Sequence, residues 1–318
     1  MTSKGGKRLA SLPERAVRPR LPDPAPRARV RWSERLEPYL YLAPSLALLA
    51  IFTFYPIVRS IYLSLFLTDP LGRPRVFLGL QHYANALSST FLQSMGVTLL
   101  FVLYTVPVGL ILGFVLALLA HQPLKGTRIF QLIFSSPLAI SAAIGSTIWV
   151  MLLNPVSGMV NYLLGLVGIA PIHWLTDPRW ALLSVGMVSI WLRLGFNFVL
   201  MLSGLQNVPD ELLEAAVVDG AGFWAKTRYV TLPMISPTLF FAAVVGVIHA
   251  FQVFAEIEIM TAGGPSDATN TVVYRIYQVA FRQYEFGSAS AQAILLFIVM
   301  VVLTYIQFRL GERRVHYQ

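Results

Sequence analysis

Six long apolar runs decide what this chain can fold into. They lie at about 39–65, 94–120, 129–153, 180–205, 237–260 and 289–310, and each is long enough to supply the roughly 20 residues a helix needs to cross a bilayer core of about 30 Å. In lipid, every backbone N–H and C=O must find a partner within the protein, so such runs are expected as helices. The expected fold is an all-α membrane bundle with six spans and short connections. Composition agrees, since 56% of the 318 residues are hydrophobic and 12% charged, a balance unlike that of a water-facing domain.

Charge sets the expected direction. Residues 1–37 hold ten basic side chains between Lys4 and Arg35 and show no apolar period, so they read as an unstructured basic tail, with residues 38–318 as the membrane domain. The first apolar run starts too far into the chain for a cleavable signal peptide. Six spans place both termini on one side. That side, with Lys125, Arg128, Lys226, Arg228, Arg309, Arg313 and Arg314, holds seventeen of the 24 Lys and Arg residues and is therefore expected to be cytoplasmic.

Several chemistries are unsupported. There is no cysteine for a disulfide, thiolate ligand or nucleophile, and the five histidines are scattered without an HExxH spacing. None of the four lysines (Lys4, Lys7, Lys125, Lys226) stands in a GxxxxGK[ST] phosphate loop. A pump built on this chain would draw its energy from a partner or an ion gradient. An ion-driven transporter usually places carboxylates near the bilayer midplane, and few are available here.

Between the fourth and fifth runs lies Asn207–Pro233, too polar to span and too patterned to be slack. Pro209, Asp210 and Glu211 suit a helix N-terminus, because proline needs no donor there and acids complement the dipole. Leu212, Leu213, Ala216 and Val217 recur at helical spacing, and Gly220 offers the positive φ that ends such a helix. A second short helix is expected from about Phe223 to Thr231, stopped by Pro233, with Pro237 opening the next span.

Glu214-Ala215-Ala216, then Asp219-Gly220-Ala221 and, after a gap, Leu232-Pro233, resemble the EAA loop of binding-protein-dependent ABC importer permeases. The resemblance implies the type I importer permease fold, with this loop as a cytoplasmic coupling helix docked in a groove of an ATPase subunit. Small Ala215, Ala216 and Ala221 would allow close approach, while Glu214 and Asp219 would accept charged hydrogen bonds. The family often carries an aromatic residue where this chain has Thr227, with Trp224 and Tyr229 nearby. An amphipathic helix lying on the membrane surface would explain the same pattern.

The likeness extends to Phe77–Tyr83, Asn154–Leu164 and Ala262–Thr269, and fits the maltose-type carbohydrate subfamily best. Ala291-Gln292, Gln307-Phe308-Arg309 and Val315–Gln318 are most similar to its sn-glycerol-3-phosphate branch. The implied partners are a second homologous permease forming a heterodimer, two ATPase subunits and an extracytoplasmic substrate-binding protein, in a bacterial plasma membrane. Membrane lipid is an expected partner and nucleic acid is not. This chain itself would bind no cofactor; ATP and Mg would be used by the ATPase.

Arg193, midway along the fourth run, costs about 2.5–3.5 kcal/mol at a bilayer centre on insertion scales, so it is expected to face the bundle interior. There it would bind a phosphate bidentately, or else pair with Glu256 or Glu258. Those two acids lie two residues apart on one helix and point about 200° apart, so at most one is expected to line a pore. Asn197, Gln252 and Phe251 are further candidates for hydroxyl binding and stacking, although such residues also make ordinary interhelical contacts. The resemblance to the sn-glycerol-3-phosphate branch implies glycerol 3-phosphate or a related phosphodiester as the first expected substrate, with a neutral sugar or oligosaccharide as the second.

Overall fold

The computed structural model describes residues 32–87, 90–122 and 126–311, with side chains from residue 39 onward. The basic residues up to Arg31, together with Lys125, Arg313, Arg314 and Val315–Gln318, lie outside the described residues. Helix α1 (Trp32–Leu49) begins within the segment expected to be an unstructured tail. Extending an existing helix by one residue costs far less than nucleating one, so the apolar stretch carries its polar approach with it. A π-turn (Ala50–Phe54) and α2 (Tyr55–Leu63) follow. The chain divides into compact units between Tyr55 and Pro56, and the packing described below is that of the second.

The strands β1 (Phe66–Thr68) and β2 (Pro74–Phe77) form an antiparallel hairpin with Phe66 opposite Phe77. The Asp69 carboxylate closes it, accepting from the amides of Leu71 (3.0 Å) and Arg73 (2.8 Å) and pairing with Arg75 at 2.8 Å. The Arg73 amide, followed by the Arg75 contact, holds the Asp69 carboxyl below its usual range despite some opposing desolvation.

The helices that follow are α3 (Gln81–Leu87), α4 (Thr90–Ala120), α5 (Thr127–Ser135), α6 (Ala142–Leu152), α7 (Met159–Leu166) and α8 (Pro178–Gln206). After them come α9 (Asp210–Val218), α10 (Phe223–Lys226), α11 (Leu232–Met234), α12 (Ser236–Phe251), α13 (Ala255–Met260), α14 (Val272–Tyr277) and α15 (Phe286–Gly311). Four stretches, Tyr39–Leu63, Thr90–His121, Pro178–Gln206 and Phe286–Gly311, are long and apolar enough to cross a bilayer. Two bent pairs, Thr127–Ala139 with Ala142–Leu152 and Phe223–Met234 with Ser236–Phe251, bring the possible number to six.

The bends correct three expectations. The third run is not one helix: a 3₁₀ turn (Ser136–Ala139) containing Pro137 ends α5, Ser141 caps α6 by accepting from the Ile144 amide (3.4 Å), and the axis turns by 104°. The fifth run, expected from 237 to 260, breaks after Phe251. Phe254 has φ −141°, ψ −57°, outside helical geometry, and α13 starts anew at Ala255.

Pro233 does not stop the helix before it. Helical structure runs from Phe223 to Met234 because a π-turn (Thr227–Thr231) widens the turn ahead of the proline, with the Leu232 amide donating to Thr227 O five residues back. A proline ring collides with the carbonyl four residues earlier in a regular helix, and the wide turn moves that carbonyl aside. The Ala50–Phe54 turn repeats the arrangement ahead of Pro56, with the Tyr55 amide donating to Ala50 O.

α8 is the axis of the second unit, and α4 packs along it. Small residues permit the close approach, since a Cβ on Gly113 would stand 2.7 Å from Asn197 Cβ, and one on Gly186 would fall on the Tyr104 ring, whose hydroxyl donates to Leu182 O. Lipid provides no hydrophobic drive between helices, so such contact is where packing energy is gained. Two buried clusters flank the α4–α8 contact. One gathers Phe101, Val185, Val188 and Ile257; the other gathers Ala117, Phe198, Met201 and Ile235.

Candidate functional site

Three helix irregularities meet at one place. α4 carries Pro107 in its middle, the α5–α6 chain turns at Pro137–Ala142, and the α12–α13 chain breaks after Phe251. A cavity of about 460 Å³ lies where they converge, its wall including Thr105 and Gly109 from α4, Pro137 and Ala142 from the bend, and Arg193 from α8. Irregular backbone at membrane depth is tolerated where it lines a cavity, because only there can its freed polar groups be satisfied.

The polar side chains in this cavity come from segments far apart in sequence. Ser189, Arg193 and Asn197 project from α8, one turn apart, and meet His249 of α12 and Glu256 of α13. The Ser189 hydroxyl donates to Glu256 Oε1 at 3.2 Å, and the Arg193 guanidinium lies 5.6 Å from the Phe196 ring centroid. Asn197 is 6% exposed and wedged against Gly109 and Gly113. Among the described residues, Arg193 lines the cavity and makes no ion pair within 4.0 Å.

The expected alternatives therefore separate. Glu256 turns into the cavity, whereas Glu258 turns away and accepts from Arg282 Nη2 at 3.0 and 3.2 Å. Their opposite directions follow from two-residue spacing on one helix. Gln252 and Phe251 do not reach this cavity. Gln252 is exposed and Phe251 is 1% exposed, and both lie beside a separate groove between α12 and α15, because the helix ends at Phe251 and the chain turns there. His249 was not among the candidates. Its one available signal was that it stands in the apolar α12, where an imidazole needs a polar partner or water.

The polar loop at the far end of α8 forms a second exposed feature. Pro209 precedes α9, Asp210 and Glu211 occupy its first turn, and Gly220 closes it at φ +79°. The Ala221 amide donates to Ala216 O (2.8 Å) and the Gly220 amide to Val217 O (2.9 Å), the paired bonds of a glycine-terminated helix end. Glu214, Ala215 and Asp219 are exposed, and Ala216 and Ala221 are half-buried. Leu232 and Pro233 are half-buried in the following helical segment. Val218 is 87% exposed and Trp224 80%. Leu213 packs inward against the cluster around Leu205 and Val208, which fixes the loop to the bundle.

Comparison with known proteins identifies what the chain as a whole resembles. Residues 76–317 match the family of binding-protein-dependent transport system inner membrane components. The chain is 35% identical over 283 residues to the sn-glycerol-3-phosphate transport system permease protein UgpA of Yersinia pestis bv. Antiqua, covering 88% of this chain and 96% of that protein. The same protein of Agrobacterium fabrum is 35% identical over 292 residues, covering 91% and 99%. The fold is similar to that of a chain in a bacterial alginate ABC transporter crystallised with an alginate pentasaccharide-bound periplasmic protein. That match has a TM-score of 0.79 and 23% identity, and covers 90% of this chain and 97% of the other.

Proposed function

Because the chain belongs to the family of binding-protein-dependent transport system inner membrane components, a multi-pass membrane permease whose ATPase is a separate subunit, we propose that it imports sn-glycerol 3-phosphate or a related glycerophosphodiester. The relatives that carry this substrate in their names match it over most of both chains. The observation that carries the reading is the exposed loop, where Val218 and Trp224 present apolar surface beside Glu214 and Asp219. Apolar side chains at the centre of a charged rim fit a protein groove.

In this reading both termini are cytoplasmic, and α9–α11 dock on an ATPase that uses ATP and Mg. A second homologous permease completes the pathway, and an extracytoplasmic binding protein delivers substrate. Closure of the ATPases moves the loop, and Leu213 passes that motion to α8. Arg193 then meets the phosphate with paired donors, and Asn197 meets a hydroxyl. The α6 N-terminus at Ala142 adds partial positive charge at the same cavity. The Glu256 carboxylate opposes anion binding, which keeps the substrate releasable.

Uptake by the complete transporter in proteoliposomes tests this. Uptake of sn-glycerol 3-phosphate should require ATP, and Arg193→Gln should weaken it about tenfold or more, the loss expected for a charged hydrogen bond, without an equal effect on a neutral sugar. Uptake that survives ATP depletion but collapses with an ion gradient would overturn the coupling. Equal transport of both solutes by the variant would overturn phosphate recognition at Arg193.

A further inference from the structure

Residues 129–176 contain no Asp, Glu, Lys or Arg, although the bent α5–α6 span ends at Leu152. The uncharged remainder holds α7, on the chain between α6 and the start of α8, so it lies at the end of the bundle opposite the α9–α11 loop. Met159, Tyr162, Leu163 and Leu166 fall on one face of α7, at i, i+3, i+4 and i+7, and each is more than half exposed. Val156 and Val167 extend this apolar surface at its two ends. The other face is packed: Val160 lies against the cluster around Phe101 and Val185, and Asn161 is buried.

The loop keeps its polar groups to itself. Asn161 Nδ2 donates to Pro155 O (3.2 Å) and Ile172 O (2.9 Å), and its Oδ1 accepts from the Ile172 amide (3.2 Å) and from Trp174 Nε1 (2.8 Å). Asn154 Oδ1 takes the amides of Val156 and Ser157. Internal satisfaction of this kind is what lipid demands of a segment that is not one continuous helix. Two further observations say what covers the outward face. Ile144, Ile148 and Met151 form an exposed stripe along the span segment α6, and the apolar surface continues from it into α7. A face that docks a water-soluble protein carries a polar rim, whereas here the nearest charges along the chain are Arg128 and Asp177. Charge returns with the Asp177–Arg179 pair, beside the Trp174 and Trp180 rings, whose centroids are 5.4 Å apart. Such a step from apolar through aromatic to charged marks a membrane–water boundary.

We propose that α7 is an interfacial anchor, its apolar face set into the boundary between acyl chains and headgroups of the leaflet opposite the α9–α11 loop. The partner is the apolar part of that leaflet, and because the segment carries no charge, the headgroup charge is immaterial. The anchor is tied to the cavity-bearing helix. Trp174, held through its indole N–H by Asn161, accepts at its carbonyl from Ser184 Oγ of α8 at 2.9 Å, and α8 carries Ser189, Arg193 and Asn197. The inference rests on insertion in a membrane and not on which solute is carried.

The chain has no cysteine, so Leu163→Cys and Leu166→Cys each offer one site for a spin label in the complete transporter, assembled with cysteine-free partner subunits in phosphatidylcholine nanodiscs. Collision with oxygen and with a water-soluble nickel chelate separates the surroundings, because oxygen concentrates in lipid and the chelate in water. Both labels should meet oxygen more often than nickel, and a label at Arg179→Cys should show the reverse. Discs of phosphatidylglycerol should give the same order. Four results would overturn the proposal. Labels that nickel reaches freely would put the face in water, and labels that become shielded only when the loaded binding protein is added would make it a docking face. Labels that neither reagent reaches would put it against another subunit, and lipid exposure found only with phosphatidylglycerol would make headgroup charge the attraction.

Discussion

The α9–α11 loop and the Arg193 cavity present opposite chemistry. The loop places apolar Val218 and Trp224 outward among charges, while the cavity places Arg193, Glu256 and Asn197 inward among apolar helices. The surface proposed to dock on a partner is written in one continuous stretch of sequence, with Gly220 and Ala221 closing α9 through bonds to Val217 and Ala216, and Leu213 tying it to the bundle. A polar site inside a membrane must be assembled from several spans, because no single helix can surround a solute. Loss of one loop residue should therefore disable a whole surface, whereas loss of one cavity residue should change a rate or an affinity.

The largest effect is expected in the loop. Gly220→Pro imposes φ near −65° where the chain needs +79°, so the α9 end cannot form and ATP-coupled uptake should fall to background. Glu214→Lys reverses an exposed charge without touching the fold and should give a similar loss. Substrate-stimulated ATPase activity, measured on the assembled transporter, separates the two causes: Gly220→Pro should lose subunit association as well. Normal coupling in both variants would remove the loop from the mechanism and erase the contrast with the cavity.

A second test overfills the α4–α8 contact behind Asn197. Gly113→Val drives a branched side chain against Asn197, and overpacking of this kind costs about 1–3 kcal/mol. The unfolding temperature of the purified complex should drop and uptake should fall severalfold, while ATPase subunits stay bound because the loop is untouched. An unchanged unfolding temperature would show that the α4–α8 contact is looser than its geometry implies.

The same contrast explains what sequence could reveal. The spans were visible because hydrophobicity is a local property, and the end of α9 was visible because Gly220 needs no distant partner. The fracture of the fifth run was not, since neither Gly nor Pro lies between Gly246 and Gly263 to mark it. Its cause is tertiary: Val253 is buried in the core, its carbonyl is approached at 3.5 Å by Thr271 Oγ1, and α13 packs on α6. Gln252 faces the α12–α15 groove for that reason, and the meeting of Ser189 with Glu256 across 67 positions could not be read from spacing. Pro233 misled in the other direction, because the π-turn that accommodates it leaves no residue signature.

A subtler expectation concerns sign. Glu256→Gln removes the negative charge that opposes an anion in the cavity, so it should tighten apparent affinity for sn-glycerol 3-phosphate by about threefold to tenfold, the size of a unit-charge repulsion in a watery pathway, where charges about 4 Å apart interact by about 1 kcal/mol. Arg193→Gln shifts it the other way. Transport assays across substrate concentration should place the two variants on opposite sides of wild type. Weakened affinity in both would mean that Glu256 acts by holding Ser189 in place.

The smallest effect belongs outside both regions. Asp177 caps α8, accepting from the Arg179 amide at 3.0 Å and pairing with its guanidinium at 2.9 Å. The Arg179 side chain, followed by its amide, holds the Asp177 carboxyl below its usual range. A carboxyl depressed on folding adds stability above its unfolded pKa of about 3.9 and loses it as pH falls through the depressed value. Asp177→Asn should therefore lower the unfolding temperature slightly at pH 7, and the difference should begin to shrink below about pH 4 and vanish once the pH falls below the depressed value. The pair is open to water and screened by salt, so the shift should be no more than a few degrees. Uptake and coupling should not change, because the carboxylate fixes only where α8 begins; a loss of transport would instead tie the start of that helix to the cavity some four turns below it.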